Sequence, residues 1–186
     1  MLETIAQIIG IFAAAMNILS FQFKDKKKII FMQLCGATLF TANFFMLGAV
    51  TGGLMNAIAI VRAVTYINKD KLKINDKLLM GIFFALFITS YALTFTVFGT
   101  EPTLKNFIVE SLPVIAMSAV TVSFSMKNAT AIRMLGITLH SPLWLTYNVF
   151  VFSIGGILCE AFSLASLAIG IIRYDIRRKP KAEKQD

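Results

Sequence analysis

Apolar residues in this chain come in blocks roughly twenty long, separated by brief clusters of charge, glycine and proline. No Lys, Arg, Asp or Glu interrupts the sequence between Ile5 and Phe23, or between Leu78 and Thr100. Charge-free apolar runs of about 18 residues or more read as bilayer spans. Seven segments are predicted, at 4–22, 28–47, 50–68, 77–98, 105–125, 129–150 and 153–173. Each is too long for a barrel strand and lacks strict alternation, so helices are required. The interruptions have local causes. Lys24, Lys26, Lys27 and Lys28 end the first segment, and Gly48, Gly52 and Gly53 turn the second into the third. Gly99 and Pro102 separate the fourth from the fifth, while Ser153, Gly155 and Gly156 make the last turn. The expected fold class is an all-α integral membrane protein with seven transmembrane helices.

Charge placement orients the helices. Of the 18 Lys and Arg residues, all but Lys105 and Arg62 follow odd-numbered segments. By the positive-inside rule those exits are cytoplasmic, which puts the N-terminus outside and the C-terminus in the cytoplasm. Arg62 lies inside the third segment, close enough to its cytoplasmic end to snorkel there. Met1, Leu2 and Glu3 lead straight into the first span without a positive n-region or cleavage site, so that span is expected to stay in the mature protein.

Composition agrees: 57% of the 186 residues are apolar and 15% are charged. A net charge of +8 would otherwise point to nucleic acid, but here the cations sit between apolar runs, where lipid headgroups are their partners. No nucleic-acid binding is expected. Cys35 and Cys159 lie inside apolar segments with no ligand at metal spacing, so they read as reduced packing residues, and no metal or cofactor is expected. Nor is enzyme chemistry: the chain has one His, no HExxH pair and no phosphate-binding glycine loop. The segment 176–186 reads as a basic, solvated tail near headgroups.

Seven is an odd number, which invites a search for duplication. Ser20, Phe21 and Lys24 recur as Ser123, Phe124 and Lys127 at an offset of 103. At an offset of 104, Phe40 pairs with Trp144, Gly52 with Gly156, Asn56 with Glu160 and Arg62 with Ser166. A register pairing Gly36 with Gly136 also exists. A linker helix between two three-helix units gives both units the same orientation, so the plan is a 3+1+3 repeat of parallel triple-helix bundles. The divisions are 1–68 for the first bundle, 69–100 for loop and linker helix, and 101–175 for the second bundle.

This plan resembles the SWEET transporters and their PQ-loop relatives. More closely, Ser20 to Lys24, Leu47 to Asn56 with Arg62, and Trp144 to Asn148 followed by Ser153 to Gly156, Glu160 and Arg173 are similar to bacterial inner membrane proteins of the YgjV family. The resemblance implies residence in the bacterial cytoplasmic membrane and a SWEET-like pocket between bundles. In SWEET proteins a Trp and an Asn from each bundle line the pocket; Trp144 and Glu160 match that spacing in the second bundle, Phe40 and Asn56 in the first. The resemblance also implies a proline hinge in the first helix of each bundle. Pro113 is present in the fifth helix, whereas the first helix has no proline, and Phe21 stands where a proline precedes Gln22 in the relatives.

The residues themselves point to the same places. A carboxylate near a helix centre costs roughly 2.5–3.5 kcal/mol or more, so Glu160 needs a partner, a cavity or a proton. It is either a cavity residue for a hydroxyl, an amine or a coupling proton, or an interhelical hydrogen-bonding group. Asn56, Asn17, Asn43 and Gln33 share that choice between packing and solute contact. His140 lies four residues before Trp144 on the same helix face, as a relay or an interhelical donor. Pro142 is placed to kink the sixth helix and open a cavity there. Glu110 reads as a helix-end or cavity-rim charge. The candidate site residues are therefore Asn56, Trp144, Glu160, Phe40 and His140. The function expected is alternating-access transport of a small polar metabolite, a sugar or similar solute. The alternative is a non-transporting receptor or assembly protein with a closed bundle interface. A homo-oligomer is a further expectation carried by the SWEET resemblance.

Overall fold

In the computed structural model, residues 1–20, 22–23, 26–123, 126 and 128–173 are described. Among them are seven long helices. These are α1 (Leu2–Ser20), α2 (Lys26–Met46), α3 (Val50–Ile67), α4 (Asp76–Thr96), α5 (Leu104–Ser123), α6 and α7 (Ile154–Ile171). A single turn, Lys69–Leu72, precedes α4, and α6 is a continuous run of Ala129–Leu135, a π turn Gly136–His140 and Ser141–Phe150. All seven predicted segments are helical, with ends displaced by a few residues. The expected tail, and Phe21, Lys24, Phe124 and Lys127 of the recurring pattern, lie outside the described residues.

Five helices are long and apolar enough to cross a membrane: α1, α3, α4, α5 and α7. The apolar part of α2 is shorter, Phe31–Met46, because Lys26, Lys27 and Lys28 occupy its first turn. In α6 the π turn divides the helix. Pro142 has no N–H for the Thr138 carbonyl, and just before it the Ser141 N–H reaches back five residues to the Gly136 carbonyl. The kink expected at Pro142 is thus a widened turn on its N-terminal side.

Burial departs from that of a water-soluble bundle on its outer face and in the polar residues it encloses. Ile8, Phe12, Ile88, Ile108, Leu158 and Ile169 are exposed, while Asn43, Thr51, Thr94, Thr121 and Ser153 are fully buried. Large exposed side chains on helices of this composition are covered by lipid tails. The buried face of α1 is made of Ala6, Gly10, Ala13, Ala14 and Ser20. Small residues let helix backbones approach closely, which is how helices associate where lipid removes the hydrophobic drive.

The packing order positions the site. In the first three helices α2 lies against both α1 and α3, and in the last three α6 lies against both α5 and α7. Across the two triplets α1 meets α7 and α3 meets α5. Helix α4 packs on α3 and α5, through Tyr66 stacked on Phe83 at 6.2 Å and Phe95 against Phe107 at 4.6 Å. Gly48 and Gly99 take positive φ at the turns after α2 and α4, a backbone conformation open to glycine.

Candidate functional site

A cavity of about 450 Å³ lies between the two triplets. All five candidate residues line it: Phe40 on α2, Asn56 on α3, His140 and Trp144 on α6, and Glu160 on α7. Asn17 of α1 and Val120 of α5 complete a wall drawn from six helices; α4 supplies none of the lining residues. The cavity extends from Trp144 toward the ends of α1, α3 and α5, since Asn17, Arg62 and Val120 all lie in the last turns of their helices. Those are the lysine-rich ends.

The opposite end is closed by direct packing. Phe44 stacks between Phe40 at 6.0 Å and Trp144 at 5.7 Å, and Tyr147 meets Trp144 edge-on at 5.8 Å. Beyond this aromatic layer the backbones of α1 and α7 cross where Gly155 faces Gly10. A Cβ on Gly155 would lie 2.7 Å from Ile11 N and closer still to the Gly10 carbonyl, so the crossing admits glycine alone. Polar side chains fasten the same end. Gln7 Nε2 donates to Phe152 O at 2.6 Å while its Oε1 accepts from Ile154 N at 3.0 Å. Asn43 Nδ2 donates to Ala6 O at 2.7 Å, and Ser153 Oγ donates to Asn43 Oδ1 at 2.8 Å.

Helix starts at this end are capped in two ways. Ser153 caps α7 from its own chain position, accepting from Gly156 N at 3.3 Å. At the start of α3 the corresponding residue is Ala49, which has no side-chain acceptor. Tyr147 of α6 takes its place: its hydroxyl accepts from Gly52 N at 3.0 Å and donates to Glu110 Oε2 at 3.4 Å. Thr51 and Thr94 share a hydrogen bond of 2.7 Å beside it. Glu110, expected at a helix end or rim, belongs to this closing layer.

Around the cavity several side-chain N–H groups turn to protein acceptors. Asn56 Nδ2 donates to Gly52 O at 3.0 Å, within its own helix, and Gln33 Nε2 donates to Ser20 Oγ at 3.4 Å. His140 Nδ1 is 3.2 Å from Ala116 O on α5. A carbonyl can only accept, so Nδ1 carries a proton, and in the neutral ring Nε2 is then an acceptor. Glu160 Oε2 and Asn148 Oδ1 are buried without a hydrogen-bond partner among the described residues. Asn148 sits tightly over Gly156, whose Cβ would lie 2.8 Å from Nδ2.

Arg62 corrects one expectation. It does not snorkel: 6% exposed, it turns inward, where Nη1 donates to Thr121 Oγ1 at 2.8 Å and Met117 O at 3.2 Å on α5. It therefore ties α3 to α5 and lines the cavity. Cys159, read from the sequence as a packing residue, and Asn148, not counted there among the site residues, also line it. For Asn148 a signal existed, since the offset of 104 sets it opposite Phe44, another cavity residue. Asn43, by contrast, is spent on packing. No group of His, Cys, Asp and Glu able to hold a metal occurs among the described residues.

Apolar helices presenting greasy side chains outward and a polar cavity inward define a multi-helix integral membrane protein. A family model described as a bacterial inner membrane protein, Imp-YgjV, matches residues 4–178. The chain belongs to that family, and its place is the bacterial inner membrane. No curated protein matches the chain, and no solved structure does.

Proposed function

We propose that the protein is a SWEET-like carrier that moves a small polar solute between its two helix triplets by alternating access. The observation that carries this reading is the cavity itself: a volume suited to a small metabolite, walled by both triplets, closed at one end and extended toward the other. With the lysine-rich ends in the cytoplasm, this is the inward-facing state. The two triplets are the moving bodies and α4 is the link. Exchange of α1 with α5, α2 with α6 and α3 with α7 leaves the packing order unchanged, which supports a repeat related by an axis along the membrane normal. Gln7 and Glu110, 103 residues apart, each serve the junction of their helix with the other triplet, which supports it further. In α1 the place of Pro113 is held by Gly10, a second residue type that weakens a helix at that level.

Cys159 is a built-in reporter of this motion because it lines the cavity. In a Cys35→Ala background, a membrane-impermeant thiol reagent should modify Cys159 from the cytoplasmic side of vesicles, and more slowly from the outside. Proteoliposomes should accumulate at least one labelled solute from a panel of sugars, polyols and amines. Modification from one side only, with no solute taken up, refutes the carrier and returns the protein to the receptor or assembly class.

A further inference from the structure

Resting on the carrier reading, we infer that the solute is a small organic ammonium compound bearing N–H donors, bound with its charged nitrogen between Glu160 and the aromatic wall of Phe40, Phe44 and Trp144. A buried carboxylate oxygen without a partner among the described residues selects it. Asn56, Gln33 and His140 each direct an N–H to a protein acceptor, and the Arg62 Nη1 is directed to Met117 O and Thr121. Beside them, Glu160 Oε2 and Asn148 Oδ1 are buried acceptors with no hydrogen-bond partner among the described residues. One of the two belongs to a carboxylate, and an ammonium offers it both N–H donors and the opposite charge, which a neutral polyol lacks. Three aromatic rings on the closed side of the same cavity add the negative π faces that attract a cation.

Arg62 limits the size and charge of the compound. It lies six residues beyond Asn56 on α3, about 9 Å of helix toward the lysine-rich end. A second cationic group at that level meets a like charge, so the tail of the solute is neutral or anionic.

Trp144 is the chain's one tryptophan and lines the cavity, so its emission reads occupancy directly. Purified protein in detergent is titrated with ethanolamine and with ethylene glycol, its near-isostere without the ammonium. Ethanolamine should change the Trp144 emission saturably, with half-saturation at least tenfold below that of ethylene glycol. Glu160→Gln, which keeps the side chain's shape, should abolish that preference while eluting as a folded protein. Equal response to both compounds, or a preference that survives Glu160→Gln, overturns the ammonium assignment. Saturation by glucose but not by ethanolamine overturns it too and leaves the carrier standing. If no compound shifts the emission, the assignment falls, and two-sided labelling of Cys159 then decides whether the carrier falls with it.

Discussion

Replacing Gly155 by alanine tests the closed end of the molecule. The added Cβ would sit 2.7 Å from Ile11 N, against a van der Waals separation of roughly 3.5 Å or more. The opposing atoms belong to the backbone of α1, so relief requires α1 and α7 to part by about 1 Å. If the helices absorb the methyl in place, overpacking costs about 1–3 kcal/mol. If they separate, the two Gln7 bonds and the Ser153 to Asn43 bond lengthen, at about 1 kcal/mol each. Either route destabilises the chain by about 1–3 kcal/mol, which for a chain of this length lowers Tm by roughly 2–12 °C. The assay is thermal unfolding of the detergent-solubilised protein followed by circular dichroism. Gly81→Ala is the matched control, because nothing lies within 4 Å of its Cβ position and alanine is the better helix former. It should leave Tm unchanged or raise it slightly. A Gly155→Ala protein that melts within a degree of the parent refutes the close crossing.

Other outcomes follow from the same geometry. Tyr147→Phe removes the acceptor of the Gly52 N–H and should cost about 1–2 kcal/mol, read as a lower Tm; an unchanged Tm shows that the borrowed cap adds nothing. Lys71→Cys, made with Cys35 and Cys159 replaced, should react with an impermeant maleimide only after cells are permeabilised; labelling of intact cells reverses the orientation. Arg62→Met should loosen the α3–α5 contact and speed proteolysis of the α3–α4 loop, whereas an unchanged digestion rate shows that the Thr121 and Met117 bonds add nothing.

Much of this architecture was legible in the sequence because the bilayer imposes it. A span needs a long uncharged run, and the lysines after α1 and α3 mark where the runs stop. The cavity was legible where polarity is costly, at Glu160, Asn56 and His140. Hydropathy says nothing about which acceptor a neighbouring helix offers, so Arg62 read as a snorkelling cation until Thr121 and Met117 were seen beside it. Tyr147 was missed for a related reason. Its role depends on Ala49 leaving α3 without a cap, a deficiency separated from its remedy by nearly a hundred residues.

That borrowed cap makes the two triplets unequal in what holds their third helices. The first turn of α7 carries its own Ser153 and survives separation, but the first turn of α3 is intact only while Tyr147 stands over it. Parting the triplets would strip the Gly52 amide of its Tyr147 acceptor, which water would then have to replace. In the proposed carrier this junction would make opening sensitive to hydration, so that osmolytes which withdraw water would hold it shut.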